Sequence, residues 1–315
     1  MQKPIVVVGS LNLDLVARVD RLPAEGETLT GINFHTYYGG KGANQAVALA
    51  RLGAPVKMLG KLGSDGFADQ LRAGLVDAGV DVTQLGTAPG SSGTALITTS
   101  AEGSNTIVVI PGANGAVRPE DIDQLRDTIA RSEMVLGQLE IPLESMVRLG
   151  EVVREAGVPF LLDPAPAVRL PLELLRSVTW FTPNETETQI LLGGNEVRGL
   201  HAASESADRL LKLGVRNVIL KMGADGVYLA GADVEWTHIP AFPVNAVDTT
   251  AAGDAFNGAF AFALGCRKMD PVRAAEFACA VAALSVTRAG AQTSMPRLDE
   301  VEAFLSEQAE GAGRL

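Results

Sequence analysis

Apolar positions along this chain fall into two rhythms, and the first is an alternation of helix-like and strand-like runs punctuated by glycine. Four times a helix-like segment ends in Gly and an apolar, β-branched segment follows: "ALARLGAPVKMLG", "LVDAGVDV", "VVREAGVPFLLD" and "LLKLGVRNVIL". Gly53, Gly79, Gly157 and Gly214 fit the left-handed position just past a helix C-terminus, where a side chain clashes. Residues 56–60, 158–163 and 217–220 are short apolar runs of the kind buried on both faces of a parallel sheet. With "PIVVVGS" at the start and "MVLG" at 134–137, the pattern predicts a layered α/β domain.

The second rhythm interrupts the first. Residues 12–38 and 94–110 alternate apolar and polar positions, the latter turning back near Glu102 and Gly103 as a hairpin does. Both read as strands with one wet face, either ordinary edge hairpins or a small sheet projecting from the main body. No repeat, low-complexity tract or Pro-rich linker divides the chain. A single α/β domain over residues 1–308 is therefore expected. The closing "EQAEGAGRL" reads as a fraying tail, placed at 309–315.

Composition narrows the function classes. The chain has 315 residues, 47% hydrophobic and 20% charged, enough for one sizeable domain. No apolar run reaches the roughly 18 residues of a membrane span, and the N-terminal apolar run is too short for a secretory signal, so a cytoplasmic protein is expected. A net charge of −11 argues against a nucleic-acid partner. Cys266 and Cys279 lie in apolar helical sequence without metal-type spacing, and three scattered histidines add no metal cluster.

An anion must then be held locally. The two Gly-Lys pairs, Gly40-Lys41 and Gly60-Lys61, lack the first glycine and the Ser/Thr of a P-loop, and "VVVGSLNLD" supplies Gly9 alone where a dinucleotide fingerprint needs three glycines. What remains are small-residue turns at helix starts: "GGKGANQA" (39–46), "KMGADG" (221–226) and "TTAAGDAFNGAFAFAL" (249–264). Backbone N–H groups at such ends bind anions without a basic side chain.

The stretches "GGKGANQAVALARLG" and "DTTAAGDAFNG" resemble the two signatures of the ribokinase family of sugar kinases, and "TPNETE" with "KMGADGV" resembles its nucleotide-site segments. The likeness spans nearly the whole chain; "GSLNLDL", "QLE" and "DPAPA" fall in the same order as in that family. It implies a mostly parallel central sheet with helices on both faces and a small β-sheet lid that forms a homodimer interface. It also implies ATP-dependent phosphorylation of D-ribose at the 5-hydroxyl, giving D-ribose 5-phosphate and ADP, with Mg²⁺ carried by ATP and K⁺ as an activating cation. The alternatives are another sugar or nucleoside kinase of the family, or a nucleotide-binding protein without catalysis.

Residue by residue, each role has a plainer rival. Asn12 and Asp14 follow the first strand, where an Asp commonly makes a turn; the resemblance makes them hydroxyl binders. Lys41 opposes the macrodipole of the helix it opens, a misplaced charge that favours a site role. Gly39, Gly40 and Gly42 let backbone approach a substrate and Asn44 adds an amide, unless they form a plain Gly-rich helix entry. Glu140 in "GQLEIP" follows a strand at its carboxyl end, where ligands of open α/β sheets gather. By resemblance Asn184 and Glu187 serve the phosphate and Mg²⁺ shell, Glu187 acting through water; the rival is a helix-capping pattern. Lys221, Gly223 and Gly226 would line the ATP site, although "GADG" is also a hairpin turn. Cys279 sits where some relatives carry a His near adenine. Asp248, Thr250, Ser285, Arg288, Gly290 and Ser294 would surround K⁺, Arg288 and Gly290 by carbonyls alone. Ala251, Ala252 and Gly253 bring bare N–H groups to a helix start, an anion hole for the transferred phosphoryl group. Asp254 there resembles the family's general base, against the rival that it caps the helix.

Overall fold

Buried β-branched runs at the expected places build the main sheet of a computed structural model that describes residues 2–194 and 197–312. In chain order the strands are β1 (Ile5–Val8), β2 (Asn12–Val19), β3 (Asn33–Gly39), β4 (Val56–Leu62), β5 (Leu85–Thr87), β6 (Gly93–Ser100) and β7 (Asn105–Ile110). They continue with β8 (Met134–Gln138), β9 (Phe160–Asp163), β10 (Trp180–Phe181), β11 (Asn217–Lys221), β12 (Val227–Gly231) and β13 (Thr237–Ile239). The main sheet runs β13-β12-β11-β10-β9-β8-β1-β4-β5. From β5 across to β11 every pairing is parallel; β12 and β13 add an antiparallel edge.

Period-two alternation decides which layer each strand residue joins. Ile5 and Val7 of β1 enter one core with Leu136, Leu161, Leu49, Phe256, Phe260 and Ala278. Val6 and Val8 enter the other with Val135, Leu162, Met146, Leu149 and Ala207. Burying one such side chain is worth roughly 1.5–3 kcal/mol, which explains why all of β1, buried on both faces, is apolar. The four helix-ending glycines sit at φ of 92°, 88°, 66° and 111° for Gly53, Gly79, Gly157 and Gly214, so the left-handed reading holds. The chain leaves β1 toward β4 and β5 on one side and returns on the other with β8. That reversal makes the carboxyl ends of β1 and β8 a topological switch point, where open α/β sheets form a crevice.

The interrupting stretches form a separate four-stranded sheet, ordered β3-β2-β6-β7. β2 pairs with β6 in parallel and with β3 antiparallel, and β6 and β7 make the expected hairpin. Asn12 and Asp14 lie within β2, as the strand reading of 12–38 expects and against the rival turn, and as residues i and i+2 they share one face. Strand β7 is exposed along its whole length, so it has two wet faces rather than one. In this sheet β2 and β6 are buried where they begin, as at Leu13, Thr94 and Ala95, and again at their last residues, Val19 and Ser100, while β7 is exposed.

Part of the expected tail is helical. A helix spans Leu298–Ala312, so residues 309–312 are helical; 313–315 lie outside the described residues. Val301 is buried and Phe304 and Leu305 pack against the first core, which anchors a segment rich in good helix formers.

Candidate active site

At the switch point, glycines bring backbone together where side chains would collide. Gly40 (φ 87°, ψ 127°) precedes the helix Lys41–Arg51, and a Cβ there would stand 2.7 Å from the Asn12 nitrogen. A Cβ on Gly42 would meet the Ser10 nitrogen at 2.7 Å, and one on Gly39 would meet Asp14 Oδ2 at 2.4 Å. "GGKG" therefore seats the helix start directly on the turn after β1 and against Asp14. The Lys41 backbone N–H donates to Glu140 Oε2 at 3.0 Å, and the Ser10 hydroxyl donates to the same oxygen. Asp14 and Glu140 thus face one cleft, and burial, then the Glu140 charge, raises the Asp14 pKa from 3.8 to about 7. Burial alone would depress the Lys41 ammonium; Asp254, Asp163, Glu140 and Glu187 together hold it above its ordinary value. The odd cation at the helix start is explained by four surrounding carboxylates.

Asp254 makes no side-chain cap at its helix start. The helix Ala252–Gly265 has no side-chain cap; its N-cap position is Ala251, in the left-handed region at φ 60°. Asp254 is buried, with Oδ2 accepting from Asn44 Nδ2 at 3.0 Å and Oδ1 from Gln45 Nε2 at 3.0 Å. Its carboxylate is engaged by these amides and makes no cap bond, so the capping rival is not realised. Burial raises its pKa to about 6, against the lowering pull of Lys41. The helix start keeps donors without intrahelical partners. Ala252 contributes less than expected, because its N–H donates to the Thr249 carbonyl at 3.2 Å.

On the other flank the capping rival is realised. Asn184 Oδ1 accepts from the Glu187 N–H, and Glu187 Oε2 accepts from the Asn184 N–H, both at 2.8 Å, a reciprocal capping box opening the helix Glu185–Leu192. The box leaves Glu187 Oε1 and Asn184 Nδ2 outside it. Desolvation raises the Glu187 pKa while Lys221 lowers it. Lys221 joins Asn184 through a β-bridge, and its Nζ donates to Asp163 Oδ1 at 3.1 Å. A Cβ on Gly253 would stand 3.3 Å from Lys221 Nζ, so the uncapped helix start and this cation are adjacent. Gly223 (φ 54°) opens the turn between β11 and β12. Gly226 is required for a structural reason: a Cβ there would lie 2.0 Å from the Ile239 carbonyl oxygen. Cys279 is buried in the first core on the helix Pro271–Val286, its thiol pushed up to about 12 by burial and Glu276.

Two loops beside the helix start are tied by one carboxylate. Asp248 Oδ1 accepts from the Thr250 N–H and hydroxyl at 2.9 and 2.6 Å, and Asp248 Oδ2 accepts from the Gly290 N–H at 2.9 Å. The Arg288 guanidinium pairs with Glu300, which leaves only its carbonyl toward a cation. The Ser285 and Ser294 hydroxyls each donate to a carbonyl three residues earlier, at 2.8 Å. Asp248, Thr250 and Gly290 are in contact, then, while Ser285 and Ser294 have their hydroxyls engaged elsewhere. No group of three or more His, Cys, Asp or Glu suited to a metal occurs among the described residues.

The pfkB family carbohydrate kinase profile matches residues 2–298. The chain belongs to this family of carbohydrate kinases. A Staphylococcus aureus protein named ribokinase is 39% identical over 303 residues, covering 96% of this chain and 99% of the relative. A Salmonella typhi protein named deoxyribokinase is 40% identical over 306 residues, covering 96% and 98%. An Arabidopsis thaliana ribokinase solved with ribose and ATP superposes with a TM-score of 0.91 at 35% identity, covering 97% of this chain and 99% of that one.

In this pfkB-family chain, several polar residues at the cleft escaped sequence reasoning. Asp163, Gln138 and Ser10 sit at or just past the ends of β9, β8 and β1, the same signal that singled out Glu140. Asn114, in the turn after β7, accepts from Leu11 N at 2.9 Å and donates to Asn12 Oδ1 at 2.7 Å, holding the start of β2. Gln45 is a fully buried amide on an apolar helix face, and no local pattern marks it. Asn44 Oδ1, Gln138 Oε1 and Thr182 Oγ1 are buried without a protein partner, as acceptors awaiting water or ligand are.

Proposed function

We propose that the protein transfers the γ-phosphoryl group of ATP to the 5-hydroxyl of D-ribose. The observation that carries this reading is the Asp254 carboxylate, withdrawn from its own helix end and held by two amides beside an uncapped helix start. A base and an anion hole on consecutive residues suit attack by a hydroxyl on a phosphoryl group. Asp14, Asn12, Glu140, Lys41 and Asn44, with the backbone of Gly40 and Gly42, bind the sugar. The N–H groups at 253–254 receive phosphoryl charge, while Asn184, Glu187, Lys221 and Gly223 serve the nucleotide. Glu187, a buried carboxylate with one oxygen outside its capping box, fits a water-mediated contact to Mg²⁺, which neutralises charge on the phosphates. The enzyme acts in the cytoplasm, where ATP is made available; no described helix is long and apolar enough to cross a membrane.

Because relatives named for both ribose and deoxyribose match at similar identity, 2-deoxy-D-ribose is the second reading. ADP release measured over a panel of pentoses, hexoses and nucleosides tests both. D-Ribose is expected to give the highest kcat/KM; preference for 2-deoxy-D-ribose selects the second reading, and turnover with none removes the kinase.

Potassium is expected to raise kcat. Asp248 ties the loop before the anion hole to the loop carrying Gly290, and carbonyls of Arg288 and Gly290 complete a site for a large monovalent ion, which would order the N–H donors without touching substrate. Equal activity in K⁺ and in a bulky organic cation, with trace potassium removed, overturns this. A homodimer is expected through the lid, where Leu96 and Val108 pair across β6 and β7 and stand 45% and 58% exposed. Light scattering should give about twice 32.9 kDa for the protein and a monomer for Val108→Asp. A monomeric parent protein refutes it.

A further inference from the structure

Gln45 has no exposed surface, yet its amide is fully engaged at the centre of the cleft. Nε2 donates to Asp254 Oδ1 at 3.0 Å and to Asp163 Oδ2 at 3.1 Å, while Oε1 accepts from Gln138 Nε2 at 2.7 Å. These partners come from three other elements: the helix Ala252–Gly265, β9 and β8. Carboxylates accept and do not donate, and Gln138 Nε2 donates and does not accept, so the partners allow one orientation of the Gln45 amide. Asp163 in turn receives Lys221 Nζ on its other oxygen at 3.1 Å. One amide therefore joins the Asp254 side of the cleft to the Lys221 side.

We infer that Gln45 is a positioning residue for phosphoryl transfer: its amide fixes the Asp254 carboxylate for the sugar hydroxyl and links that position to Asp163 and Lys221. The inference rests on Asp254 acting as the base. Without the Gln45 N–H groups, Asp254 Oδ1 loses a donor and two buried carboxylates face each other unbridged. Lys41 opposes the Asp254 charge from the helix Lys41–Arg51, shared with Glu140 and Glu187, and Lys221 neutralises Asp163. Loss of the bridge favours protonated Asp254, so the acidic limb of the kcat–pH profile moves to higher pH. Gln45, having no exposed surface, leaves the affinity for sugar and ATP unchanged.

The test uses Gln45→Met, of similar length and volume, and Gln138→Met, which frees the Gln45 amide while leaving both carboxylates their donor. For Gln45→Met, kcat at pH 7.5 is expected to fall roughly 10- to 100-fold, with both KM values within about threefold of the parent. Its acidic limb should move up by at least about half a pH unit, and Gln138→Met should move it the same way by less. A merely structural loss would lower the unfolding temperature without moving that limb. If Gln45→Met fails to fold, Gln138→Met decides by the same readout. An unmoved limb, or a rise in KM at constant kcat, overturns the inference. Near-parental turnover of Asp254→Asn would instead remove the base itself, which separates the two failures.

Discussion

Asp254→Asn is expected to give a folded protein that binds ATP nearly normally and has kcat lower by roughly 10²- to 10⁴-fold, the usual worth of a general base. The sugar hydroxyl must lose its proton during transfer, and a buried carboxylate with a pKa near 6 is ionised at neutral pH yet basic enough to take it. A carboxamide has no such basicity. The structure sharpens this expectation, because Asp254 makes no cap bond that the new side chain would be asked to replace. The introduced amide would instead present its N–H₂ end to one of the donors Asn44 Nδ2 and Gln45 Nε2, a mismatch costing about 1–3 kcal/mol. Removing a desolvated charge offsets part of that cost. The unfolding temperature should therefore change little while turnover collapses. Steady-state ADP release beside a thermal melt reads both, and a folded variant with near-parental turnover would leave Asp254 without a chemical role.

Much of this arrangement was legible from one sequence because the layered fold writes itself locally. Short, mostly apolar runs flanked by helix-ending glycines mark β4, β9 and β11, and period-two alternation marks the lid. Lys41, Glu140 and Asp254 drew attention because each breaks a local rule or stands near a strand or helix end, whereas Asp14 and Asn44 were singled out through the resemblance to the ribokinase family. Strand β7 misled because alternation reports a repeat of two and not which side is covered. Asn184 and Glu187 are both cap and cleft residues, so their pattern alone left the choice open. Gln45 and Asn114 stayed invisible for a different reason. The partners of Gln45 lie 93 to 209 residues away and those of Asn114 102 to 103, separations over which only the closed fold creates the contact.

Asp14 supplies the second large effect, and its direction depends on pH. Burial, then Glu140, raises its pKa from 3.8 to about 7, so between those values the folded protein binds more protons than the unfolded chain. Asp14 therefore contributes stability that is fully present below pH 3.8 and lost as pH rises through about 7. At pH 8 its ionised form costs the fold up to a few kcal/mol. Asp14→Asn removes that cost, so the variant should unfold at higher temperature than the parent at pH 8, with the gap closing toward pH 4. The same charge is what sugar hydroxyls need as an acceptor. Asp14→Ala should raise the sugar KM by roughly 10- to 100-fold and leave the ATP KM unchanged. In the parent, the sugar KM should fall as pH rises and level off above about 7, the value at which Asp14 ionises; Asp14→Asn should flatten that dependence. Opposite signs on stability and affinity distinguish a binding carboxylate from a strand residue that merely packs. A variant with parental sugar KM across the pH range, or with lower stability at pH 8, would return Asp14 to a purely structural place in β2.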